Sequence, residues 1–336
     1  YGLNGAGKTN LIEAIYLLSL TKSFRSSNDK ILMKKGTKKT IVEGEIRKRN
    51  DTSKYRIELK SDGKKVEIND TKIDKISDYV SKINIILFNP TDTNIISDAP
   101  SERRKMLNIE ISGLNREYLV ILSNYNRLLK QRNFYIRQLY INGNASTAYL
   151  DILTKKLIEY GCMINKYRQE FCVNINKYIG EIYKKIFGSG ELKIKYVSTY
   201  NNKSEEELAK MYQKYYQKEL AIGKTLLGVH HDDLVFNLDG SNIKELGSQG
   251  QRKNSIIAFK LAELNVIHDS KDYYPILILD DLFSELDQEK INNIFGMLNK
   301  EVQTFITTTE IDKVKKELIE NSKMIQINDG VLEEEV

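Results

Sequence analysis

Gly2-Leu3-Asn4-Gly5-Ala6-Gly7-Lys8-Thr9, followed at once by Asn10-Leu11-Ile12-Glu13-Ala14-Ile15-Tyr16-Leu17-Leu18, is the stretch that decides the fold. It fits the pattern of a glycine, four residues, then Gly-Lys-Thr, the phosphate-binding P-loop. Glycines let successive backbone N–H groups turn inward around a polyphosphate where a Cβ would clash. Lys8 brings a point charge to the outer phosphates, and the Thr9 hydroxyl suits Mg²⁺. The apolar run behind the loop predicts a helix, whose first N–H groups and dipole favour an anion at its N-terminus. A chance glycine-rich turn is the alternative, and the helix behind it argues against that. A P-loop follows a buried strand, yet only Tyr1 stands before Gly2. The reading therefore expects at least one strand to be missing at the amino end.

Working outward, the chain has 336 residues, 40% apolar and 29% charged, which is a globular composition with room for one large or two medium domains. Two cysteines, Cys162 and Cys172, are too few for a disulfide framework or a zinc site of the Cys-pair type, so a reducing cytoplasm is the expected setting. No apolar run approaches the ~20 residues that span a bilayer. The 52 Lys and Arg against 46 Asp and Glu permit an anionic partner such as nucleic acid without demanding one.

The second half supplies matching parts. Pro275-Ile276-Leu277-Ile278-Leu279-Asp280-Asp281 reads as a buried parallel strand with two carboxylates at its carboxyl end, where open α/β sheets place ligands. This is a Walker B strand: Asp280 is the candidate metal residue with Thr9, and Asp281 the candidate catalytic residue that orients or deprotonates the attacking water. Upstream, Gly247-Ser248-Gln249-Gly250-Gln251-Arg252-Lys253 opens an amphipathic helix, a second helix N-terminus offered to an anion. An ordinary capped helix is the bland reading. Its place about one helix before Walker B is where ABC-type ATPases carry their signature loop, giving Ser248, Gln249, Gly250 and Gln251 as signature candidates. Leu282-Phe283-Ser284-Glu285-Leu286-Asp287 reads as a D-loop with Ser284 and Asp287. A strand over 302–306 ends in Thr307-Thr308-Thr309-Glu310, the switch position, where a threonine would approach the γ-phosphate.

Together these motifs resemble the RecF family, ABC-type ATPases of bacterial recombinational repair. The resemblance also rests on Lys22-Ser23-Phe24-Arg25, Phe88-Asn89-Pro90-Thr91-Asp92, Pro100-Ser101-Glu102-Arg103-Arg104 and Gly228-Val229-His230-His231-Asp232-Asp233-Leu234. Val229 and His231 stand where the family usually has Pro and Arg. The resemblance implies roughly one β-hairpin of chain before the P-loop, ATP and Mg²⁺ as cofactors, and an ATP-dependent homodimer in which Gly2 to Thr9 of one subunit face the signature of the other. It further implies slow hydrolysis acting as a switch, clamping of gapped or junction DNA, single- and double-stranded, and loading of a recombinase with RecO and RecR.

The expected fold is therefore α/β: a P-loop ABC-type ATPase lobe with an antiparallel β patch and an inserted α-helical lobe, a short antiparallel coiled coil. The ATPase lobe takes 1–101 and 191–336, the helical lobe 102–190. Alternation over 41–46, 54–59 and 66–68, with Ser61-Asp62-Gly63 as a turn, predicts the β patch. A strand over 83–88 ends at Asn89-Pro90, making Asn89 and Asp92 weak nucleotide-sensing candidates beside a plain loop. Tyr118, Leu122, Tyr125, Leu129, Ile136 and Leu139, with Arg132 in the seam, and Leu150, Leu153, Leu157, Tyr160, Ile164, Tyr167 and Phe171 keep a 3–4 spacing, which predicts two antiparallel helices. At roughly 30–40 residues each they reach at most ~50–60 Å, too short for an SMC-type arm. Basic clusters at Lys34-Lys35 and Lys38-Lys39, Arg47-Lys48-Arg49, Arg103-Arg104-Lys105, Lys130-Gln131-Arg132 and Lys184-Lys185 are solvated faces or phosphate contacts. Another ABC or SMC-like ATPase, or a DNA-binding scaffold that does not turn over, remains the alternative.

Overall fold

The computed structural model describes residues 1–26, 28–48, 51–142, 146–282, 286–309, 311, 314 and 319–334. The chain divides into two compact units, one of Tyr1–Thr93, Glu181–Ser189 and Ile256–Val336, the other of Asn94–Gly180 and Gly190–Ser255. The first unit opens with α1 (Lys8–Leu20), whose N-cap Gly7 sits at φ 110 in the left-handed region that glycine tolerates. The antiparallel patch follows as β1 (Lys39–Lys48), β2 (Asp51–Lys60), β3 (Gly63–Ile68) and the short β4 (Thr71–Lys72), paired in sequence order. Alternation places Tyr55, Ile57, Leu59 and Val66 inward. The outward face carries ion pairs instead: across the strands Glu43 takes Lys54 and Arg56 and Glu67 takes Arg56, while Lys65 meets Glu67 along β3 itself. One turn, α2 (Ile76–Tyr79), leads into β5 (Ile85–Phe88), buried throughout.

The second unit begins with α3 (Pro100–Leu114), α4 (Arg116–Asn142) and α5 (Ala148–Asn176). α4 and α5 run antiparallel, with Arg132 bonded to Thr154 and Tyr118 edge-on to Tyr167. At 27 and 29 residues they are shorter than the spacing suggested. The buried stripe of α4 runs through Ile121 and Leu128 rather than Leu122 and Leu129, because α3 and α7 cover it as well as α5. After α6 (Ile179–Phe187), mostly in the first unit, come β6 (Leu192–Val197), α7 (Glu205–Ile222), β7 (Asp233–Leu238), β8 (Ser241–Asn242) and α8 (Ile243–Leu246). Strand β7 pairs antiparallel with both β6 and β8. Here the structure departs from the expected boundary: Gly190–Ser255 groups with the helices, not with the ATPase segments. The physical reason is that β6 alternates buried Leu192, Ile194 and Tyr196, and α5 packs on both β6 and α7.

Helix α9 (Gln249–Lys271) starts in the second unit and continues into the first. There the chain adds β9 (Ile276–Asp280), α10 (Gln288–Met297), β10 (Thr304–Thr307), β11 (Ile325–Asn328) and β12 (Val331–Glu334). The parallel sheet runs β10-β9-β5, with Thr307 opposite Asp280 and Phe88 opposite Leu279. All three strands thus end on one edge. Tyr1 lies beside β11, its N–H donating to the Ile325 carbonyl and its own carbonyl accepting from Ile327. Ile12, Tyr16 and Leu17 of α1 share one core with Ile57, Leu59, Tyr79 and Ile278. Each such side chain contributes ~1.5–3 kcal/mol on burial. Among the described residues, no helix is long and apolar enough to cross a membrane.

Candidate nucleotide site

The loop before α1 is held from within. The Ala6 N–H donates to the Leu3 carbonyl, and the Asn10 and Leu11 N–H groups both donate to Gly7. Gly5, at φ 83, would meet nothing within 4 Å if it carried a Cβ, whereas a Cβ on Gly2 would lie 2.3 Å from the Ile327 carbonyl oxygen. Leu3, Asn4 and Gly5 are exposed; Ala6 and Lys8 are buried. Lys8 arches back over the loop, its Nζ donating to the carbonyls of Gly2 at 2.7 Å and Leu3 at 2.9 Å. A concave backbone with its lysine folded across it fits a polyphosphate, whose anionic oxygens are stronger acceptors for an ammonium than the two neutral carbonyls.

The parallel sheet delivers the acids beside this loop. Thr9 Oγ1 lies 3.5 Å from Asp280 Oδ1, although 271 positions separate the two residues. The same carboxylate oxygen accepts from Thr307 Oγ1 at 2.6 Å, and that hydroxyl accepts the Asp281 N–H at 3.1 Å. Asp280 and Thr307 are 6% and 7% exposed. Asp281 stands at φ 49, a left-handed conformation that costs a non-glycine residue about 1 kcal/mol or more. Hydroxyl plus carboxylate, with phosphate oxygens as the remaining donors, is a hard-oxygen set of the kind Mg²⁺ prefers.

The other candidates fall into place unevenly. Ser248, Gln249, Gly250 and Gln251 are all exposed. Ser248 and Gln251 form reciprocal bonds, the Gln251 N–H donating to Ser248 Oγ at 3.2 Å and the Ser248 N–H to Gln251 Oε1 at 2.8 Å. This is a capping box, and its Ser-x-x-Gln pattern was visible in the sequence. Asp287 caps α10, accepting from the Lys290 N–H and, at 2.5 Å, from Lys290 Nζ, and that ammonium holds its carboxyl below the usual range. Ser284 and Glu310 lie outside the described residues. Asn89 and Asp92 close their own turn: Asn89 Oδ1 accepts from Thr91, and Asp92 Oδ2 from the Asn89 N–H. At the switch position Thr308 is buried and Thr309 exposed, while the Thr307 hydroxyl is taken up by the Walker B strand.

The remaining landmarks turn out to be packing devices. Arg25 bonds Asn10 and Glu13 of α1, Ser23 donates to Glu13, and Phe24 meets Tyr16 edge-on at 5.4 Å. In the second unit, Arg103 pairs with Asp233 through two bonds and donates to the carbonyls of Ile95, Ile96 and Asp98, while Arg104 donates to the Asp232 carbonyl. Arg168, which sequence reasoning passed over, meets Asp232, Asn108, Tyr118 and the Val229 carbonyl, and Tyr196 donates to Asp232. Arg132 bonds Glu219 at 2.6 Å, Thr154 and Thr225. Arg103, Arg132 and Arg168 are 1–2% exposed, so Arg103 and Arg132 leave the roll of DNA-contact candidates. His230 and His231 share the Thr225 carbonyl through their Nε2 atoms, which leaves His230 Nδ1 to accept from Tyr125. Burial, with His231 beside it, lowers the His230 imidazole to about 4.

A family profile described as the RecF/RecN/SMC N-terminal domain matches residues 1–333. The DNA replication and repair protein RecF of Pediococcus pentosaceus is 37% identical over 339 residues, covering 98% of this chain and 91% of its own. The protein of the same description from Bacillus cereus is 34% identical over 343 residues, covering 100% and 92%. A solved structure of the recombination mediator protein RecF-ATP in the RecFOR pathway superposes with a TM-score of 0.91 at 29% identity, covering 100% of this chain and 90% of that one. An Smc head bound to the C-terminal winged-helix domain of ScpA superposes at 0.54 with 17% identity, covering 98% and 86%, a likeness of fold alone.

Proposed function

Because the chain belongs to the RecF family, and is thus an ABC-type ATPase of DNA replication and repair, we propose that it works as an ATP-driven clamp on gapped or junction DNA. Gly2, Leu3, Asn4, Gly5, Ala6 and Gly7 wrap the phosphates, and Lys8 leaves the loop carbonyls for the outer phosphate oxygens. Thr9 and Asp280 hold Mg²⁺, which when bound offsets charge on the phosphates. Asp281 positions the attacking water and accepts its proton. Ser248 keeps its hydroxyl hydrogen available while its oxygen caps α9, so with Gln249, Gly250 and Gln251 it suits the γ-phosphate of a second copy, and Ser284 and Asp287 are the D-loop candidates. Two copies closing on ATP would grip DNA, and hydrolysis would release it. As the RecFOR name of the solved relative suggests, RecO and RecR are the partners in recombinase loading, in the cytoplasm.

The observation that carries this reading is the approach of Thr9 to Asp280 across 271 positions of sequence. The test is sedimentation with ATP, with and without gapped duplex DNA, over a salt series. Wild-type protein should dimerise with ATP and lose DNA as salt rises. Lys8→Ala should weaken ATP binding by about 100-fold and leave monomers. Dimers of Lys8→Ala that still form on ATP addition would rule the sandwich out.

A further inference from the structure

The switch position was expected to send one of Thr307, Thr308 and Thr309 towards the γ-phosphate, and the structure spends the Thr307 hydroxyl elsewhere. Thr307 Oγ1 donates its one hydrogen to Asp280 Oδ1 at 2.6 Å and accepts the Asp281 N–H at 3.1 Å. Its donor is therefore used, and the residue is 7% exposed. The register explains the encounter: β10 and β9 are parallel neighbours with Thr307 opposite Asp280, so the last residue of one strand reaches the last residue of the other. One hydroxyl thus fixes two things. It fixes the rotation of the Asp280 carboxylate, whose same oxygen lies 3.5 Å from Thr9 Oγ1. It also fixes the backbone of Asp281, which at φ 49 needs an outside bond to hold its turn.

We propose that Thr307 is a positioning residue for both Walker B carboxylates and not a sensor of the γ-phosphate. This rests on the roles assigned above to Asp280 and Asp281. A buried carboxylate with one neutral donor removed can swing away from the metal side, because among the described residues that bond and the longer approach of Thr9 orient it. Loss of the acceptor for the Asp281 N–H frees the turn that aims the second acid. The two roles predict different nucleotide selectivity. A γ-phosphate sensor discriminates ATP from ADP. A residue that orients a metal-side carboxylate affects the magnesium complexes of both.

Thr307→Val keeps the β-branched shape on β10 and deletes the hydroxyl, while Thr307→Ser restores it. Three readouts on the whole chain decide the matter: ATP turnover, fluorescent ATP and ADP affinity across a Mg²⁺ titration, and melting without nucleotide. For Thr307→Val, turnover should fall by about 10–100-fold. The Mg²⁺ needed for half-maximal nucleotide affinity should rise several-fold, equally for ATP and ADP. Magnesium-free affinity should stay unchanged. Thr307→Ser should recover both losses even if melting moves with either variant. Wild-type turnover and Mg²⁺ response in Thr307→Val would overturn the proposal, as would a loss confined to ATP, or one that Thr307→Ser does not rescue. Asp280→Asn is the parallel control. If it too behaves as wild type, the metal assignment itself has failed. If it is impaired while Thr307→Val is not, only the role of Thr307 is lost.

Discussion

Asp280 and Asp232 are both buried carboxylates, 6% and 3% exposed, yet they are held by different means. Asp280, at the strand ends of the first unit, is met by the hydroxyls of Thr307 and Thr9. Asp232, in the second unit, is met by the Arg168 guanidinium and the Tyr196 phenol. Burial still pushes the Asp232 carboxyl above its usual range, against the pull of Tyr196, Ser198 and Arg168. A guanidinium neutralises a carboxylate for good, and what results is a strut. Hydroxyls orient a carboxylate without cancelling its charge, which suits a divalent cation that comes and goes with the nucleotide. Motif carboxylates are therefore held by hydroxyls at the proposed nucleotide site and by a guanidinium and a phenol in the second unit.

The comparison breaks most visibly at Arg168. Removing it strands Asp232 and the polar groups of Asn108 and Tyr118, so Arg168→Met should cost about 3–5 kcal/mol in urea unfolding. A loss below about 1 kcal/mol would show that the cluster is no strut. The Arg132–Glu219 pair, 2% and 0% exposed at its side chains, sharpens the point. Arg132→Met and Glu219→Leu should each cost about 3 kcal/mol, whereas the double variant should recover at least half of the summed loss, since no charge is left stranded. An additive cycle would mean the pair is not coupled.

The smallest effect is a pH dependence. His230 titrates near 4 in the fold and near ~6.5 when unfolded. Between those values the unfolded chain binds the extra proton, so stability is lost as pH falls from about 6.5 towards 4. The loss should be about 1–2 kcal/mol, given the partial exposure of the ring. It should flatten in His230→Gln when melting is followed across that window. Equal slopes in both proteins would place the titration elsewhere.

What could be read ahead of the structure follows the range of the rule involved. The P-loop, the Walker B strand and the β patch were legible because each depends on neighbours a few positions apart: glycines at fixed offsets, an apolar run ending in acids, a two-residue alternation. Ser248 was legible as the start of an ordinary capped helix for the same reason, whereas its reciprocal bond with Gln251 was not read. The partnership of Arg103 with Asp233, 130 positions away, was not. The motifs holding them were noticed separately, and nothing local says that they meet. Arg132 was seen as a polar intruder in a seam, but its partner Glu219 lies on α7, beyond the helix pair the spacing described. The grouping of Gly190–Ser255 with the helices was not legible, because nothing local records that β6 packs on α5.

By itself, the sequence determined that a phosphate loop, a capped helix start and a Walker B strand exist in this order, and with them the family and its ATPase chemistry. Backbone geometry enforces such patterns over a few residues, wherever the segment ends up. Only the tertiary structure decided which charges neutralise one another, where the second unit begins and which way the Thr307 hydroxyl points. Those outcomes depend on strand register and on closures that run from 27 positions, for Thr307 and Asp280, to 130, for Arg103 and Asp233, and such closures leave no periodic trace along the chain.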